Sequence, residues 1–375
     1  MTGAGRMLPG EPAGERFRRL GDRLDHPNGG GRRRGVRRDG GPYPGRVGDA
    51  PAPVPPATFA SYYGRPILKA PVWRYDIPAY LFCGGLAAGS ALLAAGADLT
   101  GHDALRRATR IVGLGALGAG TYFLINDLGR PARFHHMLRV AKPTSPMSVG
   151  TWILACFGPS AGVAAVTELA PLLPRHGVSG LLGRLVPRVG RAAGLVSAAV
   201  APAVATYTGV LLADTAVPSW HDAYPGLPTL FAGGALVAGA GAALVTTPTG
   251  QAGPARRLAV AGAVLERLAA RRISRMGLTA EPYRRGHAGR LLRAGRLLLA
   301  AGTAGALLGR RSRAVSVLSG AALLASSALV RFGVFAAGVA SARDPRYTVL
   351  PQRERLARRR AEAGPPRDGA ARPTP

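Results

Sequence analysis

The chain alternates long apolar runs with short, strongly basic segments. Most of these runs are long enough to cross a bilayer, which takes about 20 consecutive apolar residues. The predicted spans are residues 77–99, 108–126, 147–169, 192–216, 227–245, 256–270, 291–309 and 314–339. The run at 256–270 is short and contains Glu266, so it is either an amphipathic surface helix or a short sixth crossing. The pattern predicts an all-α integral membrane protein of about eight transmembrane helices.

Composition and charge agree with this fold class. Of the 375 residues, 47% are hydrophobic and only 18% are charged, and the charged residues cluster outside the apolar runs. A net charge of +30 would suggest nucleic-acid binding in a soluble chain. Here the arginines concentrate in tails and loops, where they act as topology signals, so we expect no nucleic-acid partner.

The domain organisation follows from the same pattern. Residues 1–70 are basic, rich in Gly and Pro and poor in apolar periodicity, which predicts a disordered tail. A membrane domain should occupy 71–345, and a second basic, disordered tail 346–375. Cys83 and Cys156 lie inside apolar runs, and the sequence contains no disulfide framework, metal site or iron–sulfur ligand set.

The basic segments also predict an orientation. An even number of crossings places both arginine-rich tails on one side of the cell membrane, and arginine excess marks that side as cytoplasmic. Seven crossings would leave one basic tail outside, which favours counting 256–270 as a span. The loops at 128–146 and 271–290 are then cytoplasmic too.

This topology gathers polar residues at one end of the first four spans. The cytoplasmic ends carry Asp76, Tyr80, Asn126, Asp127, Tyr207 and Asp214, whereas the outer ends carry chiefly Asp98 and Glu168. Ionisable groups within a membrane are costly, so clustering on one side suggests a polar site. Two other interpretations stay open. In the first, Asn126 and Asp127 only form an ordinary helix end. In the second, Arg331 only pairs with Glu266 or Asp214 and holds helices together.

Two short motifs lie between the second and third spans. Asp-Leu-Gly-Arg-Pro occupies 127–131 and Ser-Pro-Met-Ser occupies 145–148. With the glycine-rich stretch at 82–90, Tyr-Thr-Gly-Val-Leu-Leu at 207–212 and Arg-Phe-Gly-Val at 331–334, they run in order over about residues 73–356. This set resembles the polysulfide reductase NrfD-type family. The long basic amino-terminal tail is not part of that family pattern.

The resemblance implies a fold and a function. Proteins of this family are membrane subunits with eight helices in two four-helix bundles, which exchange electrons with menaquinone or ubiquinone in anaerobic respiration. The resemblance also implies two partners, a four-cluster ferredoxin-like iron–sulfur subunit and a molybdopterin catalytic subunit. The chain itself would then be a quinone-reactive oxidoreductase subunit without a redox metal of its own.

A quinone ring needs a hydrogen-bond partner at each carbonyl and a proton source for reduction. We therefore expect Asp127 or Asp214 to supply protons, Tyr80 and Asn126 to bind the carbonyls, and Tyr207 to do either. Arg130 should favour the anionic form of Asp127 by proximity, which makes Asp214 the better proton donor.

Three further expectations concern function. The seven histidines all lie in loops or the tail, so no pair of haem ligands is available inside the membrane. The exposed basic residues Arg130, Arg133, Arg139 and Lys142 suit either a soluble partner's acidic rim or simple solvation. A secondary transporter or channel is the alternative function, although no repeat between the two halves is visible.

Overall fold

The computed structural model of the chain describes residues 67–169 and 180–363. Regular structure within these ranges is entirely helical. The α-helices in chain order are α1 (Asp76–Leu99), α2 (Asp103–Asn126), α3 (Pro146–Leu169), α4 (Gly180–Ala213), α5 (Pro218–Asp222), α6 (Leu227–Thr246), α7 (Gly253–Ile273), α8 (Gly286–Leu308), α9 (Arg313–Arg343) and α10 (Arg346–Ala363). Most of the predicted amino-terminal tail and the loop at 170–179 lie outside the described residues.

Within the described ranges, seven helices are long and apolar enough to cross a membrane. They are α1, α2, α3, α4 from Leu185 onward, α6, α8 and α9. Their bounds follow the predicted spans closely, with α2, α4 and α8 each beginning five or more residues before the predicted start. The prediction of an all-α integral membrane protein is confirmed.

Helix α7 corresponds to the ambiguous run at 256–270. It carries too many charged residues to count as a membrane span by composition. With 21 residues, however, it is as long as α6. It runs antiparallel along α6: Ile273 meets Gly226 at one end, and Gly262 meets Gly233 in the middle. If α6 crosses the membrane, α7 lies beside it over the same depth in the opposite direction. This packing therefore favours the interpretation of α7 as a membrane crossing.

The long helices form two four-helix bundles, α1–α4 and α6–α9. The bundles meet where α1 packs on α6. At that contact Gly89 lies against the backbone of Ala235, and Gly239 lies against the backbone of Gly89. A side chain at either glycine would overlap the opposite main chain, so small residues set the approach of the two bundles.

Short helical segments tie the bundles together at the end where α4 finishes and α6 begins. Trp220 of α5 is fully buried, stacks on Trp73 at 6.0 Å between ring centroids, and donates a hydrogen bond to the Val334 carbonyl at 2.8 Å. Ser219 donates to the carbonyl of Thr279, in the 3₁₀ helix Gly277–Tyr283. This end of the membrane domain is therefore fixed by buried hydrogen bonds.

The basic carboxy-terminal segment begins as a helix, where the sequence pattern predicted an unfolded tail. Helix α10 starts at Arg346, whose guanidinium pairs with Glu281 at 3.0 Å and with Asp344 at 2.9 Å. Tyr347 beside it is buried. From Gln352 to Glu362 α10 is exposed and rich in Ala, Arg, Leu and Glu, residues with high helix propensity.

Candidate functional site

A cavity of about 240 Å³ lies between α1, α2 and α3 at the end of the first bundle where α1 begins. Its walls are largely apolar, with Leu124 of α2 and Leu154 of α3 on two sides. Tyr80 of α1 is the aromatic polar residue in the wall. We refer to this space as the Tyr80 cavity. Apolar walls with a few polar groups are the usual form of a small-molecule site.

The hydroxyl of Tyr80 is hydrogen-bonded to the hydroxyl of Tyr207, which comes from α4. Both side chains are buried. The Tyr207 ring lies directly against Gly150 of α3, where a Cβ atom would overlap it. The absence of a side chain at Gly150 therefore sets the position of Tyr207, and through it the phenol pair.

Further polar groups lie beyond the lining residues at the end where α1 begins, which we call the mouth, and Asp76 is one turn before Tyr80. Asp76 is buried and accepts a hydrogen bond from the side-chain amide of Asn126 at 3.0 Å. Asp127 follows directly, as the residue that caps α2. Burial raises the pKa of the Asp127 carboxyl above its ordinary value, and the Asp76 carboxylate raises it further. The backbone N–H and the charge of Arg74 oppose this shift.

The Asp-Leu-Gly-Arg-Pro motif leads into the 3₁₀ helix Pro131–Arg139, which we call the cover segment. Phe134, Met137 and Leu138 of this segment contribute to the cavity wall. The cover segment is thus the part of the chain that separates the cavity from the surroundings on one side.

The Ser-Pro-Met-Ser motif anchors the cover segment. The Ser148 hydroxyl accepts a hydrogen bond from the Lys142 backbone N–H at 2.9 Å and donates one to the Val140 carbonyl at 2.8 Å. The Trp152 indole N–H donates to the same Val140 carbonyl at 3.2 Å. The Ser-Pro-Met-Ser motif therefore forms hydrogen bonds to the chain that follows the Asp-Leu-Gly-Arg-Pro motif. These bonds explain why the two motifs occur at this spacing.

The structure brings together most of the residues predicted for a site, but not all of them. Tyr80 and Tyr207 are in contact, and Asn126 and Asp127 lie at the mouth with Asp76. Among these predicted residues Tyr80 is the one that lines the cavity itself, and Arg130 and Asp214 are exposed. The charges acting on Asp127 are Asp76 and Arg74, where the sequence argument expected Arg130.

Some of the arrangement was missed by sequence reasoning. Gly150 and the anchoring role of Ser148 and Trp152 were not identified, although all three lie in the stretch that carries the second motif. Asp76 was placed at the correct end of its helix without being assigned to the site. Asp76 accepts the Asn126 amide hydrogen only because α1 and α2 are rotated so that these side chains face each other. The sequence pattern does not predict that rotation.

The opposite end of the same bundle contains an ion cluster. Glu168 of α3 accepts hydrogen bonds from the guanidinium groups of Arg106 and Arg110, each at 2.8 Å. Asp98 of α1 lies 3.4 Å from Arg106 and 3.5 Å from Arg110. The side chains of Arg110 and Glu168 are only 7% and 5% exposed. At the rim of this Asp98–Glu168 cluster, Asp103 pairs with Arg106, Arg107 lies near Glu168 and Arg191 lies near Asp98.

The second bundle contains one further buried pair of opposite charges. The Arg331 guanidinium lies over the Phe231 ring at 4.1 Å and donates a hydrogen bond to the Phe231 carbonyl at 2.7 Å. Glu266 of α7 meets it across Gly234, where an added Cβ would lie 2.6 Å from Arg331 Nη1 and 3.0 Å from Glu266 Oε1. Of the two partners considered for Arg331, Glu266 is the one placed beside it.

Over residues 67–169 and 180–363, no group of three or more His, Cys, Asp or Glu side chains is placed to hold a metal ion. The Tyr80 cavity has a phenol in its wall, and the Asp76–Asn126 hydrogen bond lies one helical turn away.

Comparison with known proteins relates the chain to one family. The family model described as polysulphide reductase, NrfD matches residues 67–260, which include the whole of the first bundle and the Tyr80 cavity. The C subunit of polysulfide reductase from Wolinella succinogenes is 30% identical over 178 residues, covering 45% of this chain and 56% of that protein. Protein NrfD from Escherichia coli is 31% identical over 198 residues, covering 46% of this chain and 59% of that protein. The chain thus matches somewhat more than half the length of each relative.

Proposed function

The chain belongs to the polysulphide reductase NrfD family, and from this premise we propose that it is the quinone-reactive membrane subunit of an oxidoreductase complex. In this role it passes electrons between menaquinone or ubiquinone in the membrane and an iron–sulfur subunit. That partner in turn serves a molybdopterin catalytic subunit. The observation that carries the proposal is Tyr80 in the wall of an apolar cavity, hydrogen-bonded to Tyr207, with carboxyl and amide groups at the mouth.

The size and walls of the cavity support a quinone ring as its ligand. At about 240 Å³ the cavity is smaller than the roughly 300–1,000 Å³ of drug-sized sites. This volume can hold a quinone ring but not its isoprenoid tail. The tail has to extend between the helices into lipid. Leu124, Leu154 and the apolar side of the cover segment would contact the faces of the ring.

The polar groups support proton transfer at this position. A quinone takes up two electrons and two protons when it is reduced to quinol. Tyr80 can donate its hydroxyl hydrogen into the cavity, and Tyr207 can return a proton to Tyr80 through their shared hydrogen bond. Asp127 holds its proton to a higher pH than an ordinary Asp, which suits a group that delivers protons from the mouth. Asp214 is exposed, whereas Asp127 is partly buried beside Asn126, so Asp127 is the better candidate for proton supply.

The proposal is tested by quinone-dependent turnover of the assembled complex. We expect Tyr80→Phe and Asp127→Asn each to lower turnover at least tenfold, because a positioned proton donor contributes roughly 10²–10⁴-fold. Asp214→Asn is the matched control, since it makes the same chemical change on an exposed carboxyl at the same end. Wild-type turnover in both cavity variants, with assembly intact, would contradict the proposal.

A cationic surface beside the cavity supports the docking of the electron-transfer partner. Arg130, Arg133, Arg139 and Lys142 are exposed, and none of them forms an ion pair within the described part of the chain. Charges of one sign steer a partner of opposite charge and fix its orientation. A partner bound here would lie next to the cover segment and therefore close to the quinone.

Charge reversal tests this docking surface. Arg133→Glu with Arg139→Glu should release the iron–sulfur partner from membranes while the chain still inserts. Arg311→Glu, an exposed arginine beyond the far end of α8, is the control and should retain the partner. Unchanged co-purification of the partner with the double variant would locate the interface elsewhere.

A further inference from the structure

A second cavity, of about 900 Å³, lies in the other bundle between α7 and α8. It is distant in the chain from the Tyr80 cavity, and the proposed function does not use it. Val260 and Val264 of α7 form one wall, and Leu299 and Leu307 of α8 form the other. Val264 is 52% exposed, so this space is a groove that opens on the outside of the bundle. We call it the α7–α8 groove.

One end of the groove is strongly basic. Four arginines line it there, Arg267, Arg271, Arg284 and Arg296, together with Ser274 and Tyr283. None of the four is part of an ion pair in the described ranges. Arg284 donates to the Ser274 carbonyl at 2.5 Å and Arg296 to the Leu292 carbonyl at 3.3 Å, so their bonds are to neutral oxygens. Glu266 also lines the groove but is placed beside Arg331, so none of the four arginines has a carboxylate as an ion-pair partner within the described ranges.

The length of the groove matches one leaflet of a bilayer. Val260 precedes Arg271 by eleven residues on α7, about 16 Å at roughly 1.5 Å per residue. Half of a hydrocarbon core of about 30 Å is about 15 Å. Arg271 and Arg284 lie at the end where α7 finishes and α8 begins, which is the level of the headgroups, and the apolar walls extend from there toward the bilayer centre. Arg296 lies ten residues into α8, and its guanidinium turns back toward that end, beside the Leu292 carbonyl.

We infer that the α7–α8 groove binds one anionic phospholipid. Its phosphate lies among Arg271, Arg284 and Arg296, and its acyl chains lie between α7 and α8. The charge of the basic end selects an anionic headgroup over a zwitterionic one, because each Arg near an anionic lipid adds favourable electrostatic free energy. A quinone is uncharged, so these arginines would give it no advantage. The inference goes beyond the proposed function and does not depend on it.

The bound lipid would connect two helices that touch each other little. Helices α7 and α8 are consecutive, yet α7 packs mainly on α6 and α8 mainly on α9. A lipid with one chain against Val264 and another against Leu299 fills the gap between the two pairs. It therefore stabilises the second bundle by contact area as well as by charge.

The test uses the full chain purified in detergent and measures lipid retention by native mass spectrometry. With added phosphatidylglycerol we expect one retained lipid per protein and a saturable rise in the unfolding temperature. Phosphatidylcholine at the same concentration should produce neither effect. Equal retention of the two lipids, or none of either, overturns the inference.

Two variants separate the headgroup contacts from the chain contacts. Replacing Arg271, Arg284 and Arg296 together by Gln should weaken phosphatidylglycerol binding on the order of 100-fold, at roughly fivefold for each arginine. The control replaces Arg257, Arg290 and Arg311, which are exposed and do not line the groove. Undiminished binding in the first triple variant overturns the inference.

The second variant is Val264→Trp, which fills the groove without changing its charge and leaves the buried faces of α7 untouched. It should also abolish retention of the lipid, and it decides the question if the triple variant does not fold. Retained phosphatidylglycerol in Val264→Trp, or displacement of the lipid by a quinone analogue or by a partner protein, contradicts the inference. Loss of lipid with unchanged quinone turnover leaves the proposed function intact, so the two proposals fail independently.

Discussion

Each end of the first bundle carries carboxyl groups, but the two ends surround them differently. In the Asp98–Glu168 cluster, both carboxylates are matched by the guanidinium groups of Arg106 and Arg110. At the other end Asp76 is bonded to an amide, and the Asp127 carboxyl has a raised pKa beside an apolar cavity. Carboxylates held by two arginines are fixed in position by their ion pairs, whereas the raised pKa of Asp127 lets that carboxyl keep its proton to a higher pH than an ordinary Asp.

This difference predicts different roles for the charged groups at the two ends. Those in the Asp98–Glu168 cluster should contribute mainly to stability, and those near the Tyr80 cavity mainly to function. Breaking a buried ion pair by removing one partner is strongly destabilising because the other charge remains unpaired. Removing a polar group that lines a cavity mainly changes what the cavity can bind. The two ends should therefore respond in opposite ways to conservative substitutions.

The largest expected effect is on stability at the ion cluster. Glu168→Gln leaves buried Arg110 without its closest carboxylate and should lower the free energy of unfolding by about 3–5 kcal/mol. Thermal or chemical unfolding in detergent measures the loss. Arg107→Gln is the control: its side chain is 60% exposed and 3.7 Å from Glu168, so it should cost less than about 1 kcal/mol. Equal losses would remove the distinction between the two ends.

The next effect acts on the cavity through packing. Gly150→Ala forces the Tyr207 ring away from its position and should break the phenol pair, at about 1–3 kcal/mol of overpacking. Affinity for a quinone analogue should fall about tenfold, by the same 1–3 kcal/mol scale. Gly118→Ala in α2 is the matched control, because a Cβ there meets open space. If both variants bind the analogue like the wild type, the position of Tyr207 is not important for binding.

A smaller effect concerns the cover segment. Ser148→Ala removes one hydrogen bond to the Lys142 backbone and one to the Val140 carbonyl, each contributing about 0.5–1.5 kcal/mol. Amide exchange of residues 131–142 should become faster while the rest of the first bundle keeps its protection. Ser160→Ala, whose hydroxyl bonds only to carbonyls of its own helix, should leave this exchange unchanged. Exchange that does not change in Ser148→Ala would show that other contacts hold the cover.

The smallest effect is the pH dependence that Asp127 contributes. A carboxyl whose pKa is raised on folding lowers stability once the pH exceeds its ordinary value of 3.8, and the whole penalty is present above the raised pKa. Asp127→Asn should therefore be more stable than the wild type at neutral pH, and the difference should vanish below pH 3.8. Unfolding temperatures across this range measure it. A variant less stable than the wild type at neutral pH would mean that ionised Asp127 is favoured by the fold.

The sequence predicted the helices and the end at which the polar residues collect. Hydropathy fixes where a helix can cross a membrane, and alternating direction then places Tyr80, Asn126 and Tyr207 at one level. It could not predict that Gly150 positions Tyr207, or that Arg130 and Asp214 lie outside the cavity. Those facts depend on the rotation of each helix and on contacts between distant residues. The groove between α7 and α8 was likewise not predicted, because its arginines were interpreted as topology signals.

The most direct test of the account maps where a quinone binds. A photoreactive ubiquinone analogue, cross-linked to the complex and located by mass spectrometry, should label the segments that line the Tyr80 cavity, at 117–125, 134–138 and 151–158. Labelling should decrease in Gly150→Ala and persist in Arg107→Gln. Labels confined to 260–271 and 296–307, the walls of the α7–α8 groove, would contradict the assignment of the quinone to the first bundle.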